Sequence, residues 1–516
     1  MRRRLRESAD RARGITSGRG SRAMTDIGNS SRWWQSISRR RLLVTGGATA
    51  VGLTVAGALT RRGGTRSPAT DHAETAVAGG ERPAPAESRA LPGTLLLGRP
   101  TGTSIDLSCL VRMSTEVVIE YAAEGDPGAR QIPPQLANAN EPLVVTLRGL
   151  EPDRAYLYRV LHRVPGLNNF AAGAWNRFRT ARSPGAAFTF TVQADSHRDD
   201  NSNLDVYRQT LEHVRADGAD FHIDLGDTFM CDKFARTRQD VIARYVEERS
   251  WFGIAADSIP LFLVNGNHEG EAGWLLNGGA ENLAIWAAQA RLRYYLNPVP
   301  NAFYSGDVAV EPFVGQRASY YAWVWGSAQF IVLDPFWFTK SKPGGRFDNW
   351  SWTLGDRQYQ WLQRTLAESS AALKFVFIHH LVGGNGTSGR GGVEAVPFWE
   401  WGASATDFAS KRPGWRAPIH RLLVEHGVNA VFHGHDHLYA RQDIDGLVYQ
   451  EVPQPSHLGD NGAQLAAEGG YRSGVIRSSS GHLRVSVVDR TARVEYVRTT
   501  ATGAAVEHAY TIIGRS

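Results

Sequence analysis

Cysteine is nearly absent from this chain of 516 residues, which holds two, Cys109 and Cys231. They lie far apart in regions of different character. A disulfide framework is therefore excluded, and so is a zinc site built mainly from cysteines. They read as two small buried or semi-buried thiols. Long apolar runs are missing too. The stretch over residues 42–60 is broken by glycines and threonines, which argues against a stable membrane span. Charge of one sign is lacking beyond the N-terminus. Residues 1–58 carry 12 Arg against Glu7, Asp10 and Asp26, more than the whole formal net charge of +6, so the remainder is near neutral to slightly acidic. No specific nucleic-acid binding is expected from it. What is present is a globular composition, 42% hydrophobic and 21% charged with 15 Trp, in a chain long enough for two or more domains.

Ser38-Arg39-Arg40-Arg41-Leu42-Leu43 leads into the weakly apolar stretch, and Ala56-Gly57-Ala58 or Ala76-Val77-Ala78 offers a small-residue cleavage site. Basic, then apolar, then small is the order of a secretory signal, and the paired arginines resemble the twin-arginine class. Residues 1–58 are expected to be an export signal read by that machinery. The protein is then periplasmic, on the cell surface or extracellular in a bacterium. An uncleaved anchor is the alternative, and a start at Met24 would give a more ordinary signal length. Residues 59–90, rich in Gly, Pro, Ala, Arg and Glu without periodicity, read as a disordered linker.

Short alternating stretches follow over residues 91–182: Ser104 to Ser108, Glu116 to Tyr121 and Leu143 to Leu147, separated by turn residues. That spacing predicts a small antiparallel β sandwich. The segment from Leu150 to Val160, with Tyr156 and Tyr158 at period two, resembles the fibronectin type III corner where a Tyr pins a turn before a strand. No acid–base constellation occurs here, so the expected role is structural.

Chemistry begins at Phe188. Five β-rich runs each end in groups able to hold a metal. Phe188 to Val192 ends in Asp195-Ser196-His197, and Phe221 to Leu225 in Gly226-Asp227. Pro260 to Val264 ends in Asn265-Gly266-Asn267-His268-Glu269, and Lys374 to Ile378 in His379-His380. Val428 to Phe432 ends in His433-Gly434-His435-Asp436-His437. The carboxyl ends of strands are where sites form in open α/β sheets. Each motif alone is weak, since Asp-x-His is common and an Asp after Gly is usually a turn residue. Five in order are specific, and their glycines permit sharp turns and close approach.

This ordered set resembles the calcineurin-like metallophosphoesterase superfamily, with its D-x-H, G-D, G-N-H-[DE], H and G-H-x-H motifs. The preceding β domain resembles the arrangement in purple acid phosphatases. The resemblance implies an α/β fold over residues 186–490, a two-sheet β sandwich flanked by helices, with residues 491–516 as closing strands. It implies two divalent or mixed-valence metal ions (Fe, Mn or Zn). Asp195, His197, Asp227 and His437 would hold the first; Asp227 would bridge; Asn267, His379 and His435 would complete the second. The resemblance puts the ligand first after the strand, which favours His379 over His380, and alternation sends the two side chains opposite ways, so only one should reach a metal. His268 becomes a donor to the phosphate or a general acid, or else a structural histidine behind the ligands. Asn267, His268 and Arg390 are candidate substrate contacts, and Asp436 either orients a ligand histidine or faces solvent.

Two departures matter. Purple acid phosphatases place a Tyr three residues after the bridging Asp, where this chain has Met230, so no purple chromophore is expected. Protein phosphatases carry an Asp there and an Arg soon after, which Met230-Cys231-Asp232-Lys233 does not match. The segment from Phe338 to Asn349 and the run Gly383 to Gly392 read as loops at the rim of the site, His457 as a further pocket candidate, and Trp350, Trp352 and Trp361 as core. The function implied is an exported phosphatase that hydrolyses phosphate monoesters of small molecules by attack of a metal-activated hydroxide. A phosphodiesterase or nucleotidase on the same site is the alternative, and a non-catalytic exported binding module is the alternative of another class.

Overall fold

A computed structural model describes residues 90–342, 349–386 and 389–514. The expected export signal, most of the expected linker and parts of the two rim loops lie outside these residues. Among those described, no helix is long and apolar enough to cross a membrane.

The first β region is a sandwich of two antiparallel sheets. One is three-stranded, in the order Gly93–Gly98, Ser104–Val111, Leu143–Arg148. The other runs Arg130–Ala137, Thr115–Ala123, Ala155–Arg163, Ala171–Ala172, with Asn176–Arg179 also paired to Ala155–Arg163. Alternation puts Leu107, Cys109, Val117, Ile119 and Leu147 into a shared core. The expected tyrosine corner is present. Tyr156 Oη accepts a hydrogen bond from Glu151 N at 2.8 Å while its ring stacks on Phe178. This region packs on the helix Arg238–Ala256. Arg249, fully buried, donates to Ser108 O at 3.0 Å and Thr94 Oγ1 at 3.1 Å, and Tyr158 Oη donates to Asp257 O.

The larger region is built on two further sheets. The six-stranded sheet has the order Leu261–Leu263, Phe221–Asp224, Phe188–Gln193, His482–Val488, Thr491–Thr500, Gly503–Ile513. Its first three strands are parallel and the closing strands extend it antiparallel. The eight-stranded sheet is parallel at its centre, where Ala328–Val332, Leu373–Phe377, Ala430–His433 and Leu447–Glu451 lie side by side. The central strands are near-continuous apolar runs because both faces of each sheet are covered. Phe190, Phe221, Trp323, Phe330, Phe375, Phe377 and Phe432 fill the space between the sheets. Each such side chain, fully buried, contributes about 1.5–3 kcal/mol.

Helices cover the outer faces. Arg238–Ala256 opens with a capping box between Thr237 and Asp240, and Leu204–Ala216 with Asn203 accepting from Asp205 N and Val206 N. The helix Leu204–Ala216 buries Val206, Tyr207, Thr210, Leu211 and Val214, the spacing of one helical face. Leu96 and Leu110 of the first β region join Phe229, Cys231, Tyr245 and Tyr295 in one cluster. The β region thereby buttresses the loop that carries Asp227.

Candidate metal centre

All five motif loops meet at one edge of the sandwich, three delivered by the six-stranded sheet and two by the eight-stranded sheet. Asp195, His197 and His437 form one group whose ligand atoms lie within 4.8 Å of one another, and Asp227, His379 and His435 form a second. Asp227 Oδ2 lies between them, 3.8 Å from His197 Nε2 and 3.2 Å from His379 Nε2. Asn267 joins the second group, its Oδ1 3.1 Å from His379 Nε2. His437 Nε2 stands 3.5 Å and His197 Nε2 3.8 Å from Asp195 Oδ1.

Two histidines adjacent in sequence part ways here. His379 Nδ1 donates to Leu225 O at 2.9 Å, which fixes its tautomer and turns Nε2 toward Asp227. His380 bonds Gly389 O through Nε2 at 2.6 Å and lies outside both groups.

The backbone at this edge is strained. Asp195 (φ 59), His197 (φ 55), Asp227 (φ 55), His435 (φ 82) and His437 (φ 63) all occupy the left-handed region. Each costs ~1–3 kcal/mol and persists only where its surroundings over-determine it, a pattern typical of functional sites. Glycine makes the close approaches possible: a Cβ on Gly226 would fall 2.3 Å from Gly266 N, and one on Gly434 2.6 Å from Asp195 Oδ2.

Electrostatics fit a cation site. Burial alone would raise the Asp195 and Asp227 carboxyls, but the neighbouring His379, and for Asp227 also His268, hold both below the usual carboxylate range. Burial drives His437 down to about 3 and His435 well down, so both rings are neutral with free lone pairs. Asp195 Oδ1 and His197 Nε2 are buried and make no hydrogen bond, their nearest ionisable neighbours standing 3.5 Å or more away. A buried carboxylate oxygen and imidazole nitrogen left so are costly unless something else meets them.

Around the two groups lie the expected His268 and three residues whose part the sequence did not disclose, Asp232, Glu269 and Asp199. His268 points Nε2 at Asp227 Oδ2, 3.9 Å away, while its Nδ1 sits 2.8 Å from Asp232 Oδ1. Asp232 stands in the stretch that mismatches the protein-phosphatase pattern; it is five residues after Asp227, and the short helix Cys231–Phe234 swings it round to His268. Glu269 accepts from Gly266 N, Asp227 N, Thr228 N and Phe229 N, clasping two motif loops together. Asp199 Oδ2 is 3.5 Å from His197 Nδ1.

Asp436 neither touches a ligand imidazole nor faces solvent. It is buried and accepts from Gly391 N at 2.7 Å, Tyr471 Oη at 2.8 Å and Arg390 Nη1 at 3.3 Å. Arg390 also donates to His435 O at 3.1 Å, which places it at the rim beside the second group. His457 is half-buried; its neighbour Ser456 bonds Ser196 O. Trp361 is core, whereas Trp350 and Trp352 are only half-buried.

Facing sheets with ligand-type residues on five loops of one edge define a metallophosphoesterase-type domain. The model of the calcineurin-like phosphoesterase family matches residues 188–439. Among solved structures the chain is similar to PhoD, at 18% identity and a TM-score of 0.60, over 83% of this chain and 91% of that one. It is also similar to the purple acid phosphatase PPD1 from seeds of yellow lupin (Lupinus luteus), at 13% identity and a TM-score of 0.54, over 81% of this chain and 74% of that one. At these identities the likeness is one of fold. No curated protein matches the chain.

Proposed function

We propose that this protein is an exported phosphatase that hydrolyses small-molecule phosphate monoesters at a centre of two metal ions (Fe, Mn or Zn). The observation that carries the reading is Asp227 Oδ2 lying between the two ligand groups, within 3.8 Å of His197 Nε2 and 3.2 Å of His379 Nε2. A carboxylate so placed is what two cations about 3.5–4 Å apart require. The mixed oxygen and imidazole donors suit Fe, Mn or Zn, and the unpartnered Asp195 Oδ1 and His197 Nε2 are the atoms such ions would meet. Asp195, His197, Asp227 and His437 would hold one ion, with Asp227, Asn267, His379 and His435 around the other.

When bound, the ions would lower the pKa of water and neutralise charge on the phosphoryl oxygens. The protein supplies the rest. Asn267 and the Arg390 guanidinium, beside the second group, would hold phosphoryl oxygens. His268, held by Asp232 at Nδ1, presents Nε2 to the phosphate. As imidazolium it gives that proton to the leaving alcohol oxygen when the P–O bond breaks, and Asp232 stabilises the charged ring.

The deciding experiment compares p-nitrophenyl phosphate with bis-p-nitrophenyl phosphate, before and after metal depletion and restoration with Mn, Fe or Zn. Metal-dependent turnover that favours the monoester and vanishes in Asp227→Asn supports the reading. Preference for the bis-ester would move the activity to diesters. Folded protein that binds no metal and turns over neither ester would leave the exported binding module as the better account.

A further inference from the structure

Aromatic side chains from three separate segments converge on the second ligand group. Phe336 follows the strand Ala328–Val332, and its ring centroid lies 6.1 Å from that of His379. Trp352, just before the helix Gly355–Ala367, lies 5.6 Å from Phe336 and 4.6 Å from His380, itself 4.7 Å from His435. Trp274, from the turn after the Gly266-Asn267-His268-Glu269 motif, stands 5.6 Å from Trp352 at an interplanar angle of 84°. A connected aromatic cluster thus runs outward from His379 and His435, buried at Phe336 and His380 and reaching solvent at Trp352 and Trp274. The side near His197 and His268 is polar by contrast, with Asp199 and Asp232.

Resting on the phosphoesterase reading above, we propose that the organic group of the natural ester is aromatic and is received in the corner between Trp352 and Trp274. Two indoles at nearly a right angle offer a ring one face to stack on and one edge to meet, the two arrangements aromatic quadrupoles favour. Both indoles are only half-buried, Trp352 with part of its ring packed against the core, whereas Trp323 and Trp325 are 2% exposed or less. The corner is also held in place before any ligand arrives. Arg412 donates to Trp350 O at 2.6 Å and Trp352 O at 3.1 Å, and is itself paired with the buried Glu400 at 2.6 Å. Glu400 in turn accepts from Leu354 N at 2.8 Å. Gly273 N donates to Phe336 O at 3.0 Å, tying the Trp274 turn to the same wall. Ordering completed on folding is not charged against binding.

The test uses 2-phenylethyl phosphate and ethyl phosphate, whose leaving alcohols are close in acidity, so the bond to be broken is nearly the same. Metal-loaded wild type should prefer the phenylethyl ester in kcat/KM by roughly tenfold. Trp352→Ala and Trp274→Ala should each shrink that ratio toward one, and Trp352→Phe should keep most of it. Calorimetric Kd values for 2-phenylethylphosphonate against ethylphosphonate should show the same ratio without turnover. Equal kcat/KM for the two esters in wild type, or an equal loss on both in the variants, overturns this inference while leaving the phosphoesterase reading standing. Turnover of neither ester by metal-loaded wild type overturns this inference, and the phosphoesterase reading falls with it only where p-nitrophenyl phosphate and its bis-ester are also left untouched.

Discussion

Asp232 Oδ1 lies 2.8 Å from His268 Nδ1, and the opposite nitrogen of the same ring faces Asp227. A carboxylate accepting from one imidazole nitrogen fixes the tautomer and the ring's orientation and aims the other nitrogen into the site. His268→Ala should therefore lower kcat by about 10²–10⁴-fold, the usual range for a lost general acid. Asp232→Asn should lower it in the same direction by a smaller factor. The double variant should be no worse than His268→Ala, because Asp232 acts only through that ring. Steady-state kinetics on protein of unchanged metal content checks this. Losses that multiply in the double variant would mean that Asp232 has a separate role.

How far the site was legible follows from where its signals sit. The ligand-type residues end apolar β-rich runs, so local pattern and motif order placed them together without knowledge of the sheets. Strand alternation says that only one of His379 and His380 faces the site, and the family resemblance, not alternation, pointed to His379. Asp232 and Asp436 were not legible, because their partners His268 and Tyr471 are 36 and 35 positions away and meet them only across loops. Trp352 does pack against the core, but it and Trp350 are only half-buried, for a related reason. Composition gives a tryptophan's burial on average, while its actual exposure depends on which segments fold over it.

Glu269 accepts four backbone N–H groups from two motif loops, at 2.5 Å from Gly266, 2.9 Å from Asp227, 2.7 Å from Thr228 and 3.2 Å from Phe229. Glu269→Gln keeps the shape but turns an amide NH₂ toward N–H donors. Those donors are buried, so each one left unpaired costs about 1–3 kcal/mol. The variant should melt several degrees lower and hold less metal, because the Asp227 and Asn267 loops lose their common clasp. Thermal unfolding together with elemental analysis reads both effects. An unchanged melting temperature would show that water or a loop shift satisfies those donors.

Asp217 links the end of the helix Leu204–Ala216 to the strand His482–Val488, with His482 Nε2 and Arg484 Nη1 each 2.7 Å from its carboxylate. Burial would raise its carboxyl, but these two partners outweigh that and hold it below the usual range. A carboxyl whose folded pKa lies below its unfolded value, about 3.9, stabilises the fold at all higher pH. That contribution is lost as pH falls through the folded value. Asp217→Asn should thus be destabilised at pH 7 and converge on wild type as pH drops below about 4. Melting curves from pH 7 to pH 3 test this, and a constant gap across the range would contradict it.

The two cysteines give a prediction that bears on export. Cys109 lies in the core of the first β region, and Cys231 lies in the cluster beneath the Asp227 loop; both are free and buried. Burial pushes the Cys109 thiol up to about 12, and burial followed by the nearby Glu269 carboxylate pushes Cys231 well above the usual thiol range. A thiol with so little thiolate is a poor nucleophile and resists oxidation. If the protein is exported as proposed, it would meet oxidising surroundings, where an exposed pair would cross-link between molecules. The native protein should therefore resist iodoacetamide and remain monomeric toward disulfide formation in air. After denaturation it should take up two labels, read as an intact-mass shift. Rapid labelling of the folded protein at one site would show that its cluster opens. At Cys231 such opening would expose the loop behind Asp227, and metal binding should slow the labelling in proportion to occupancy.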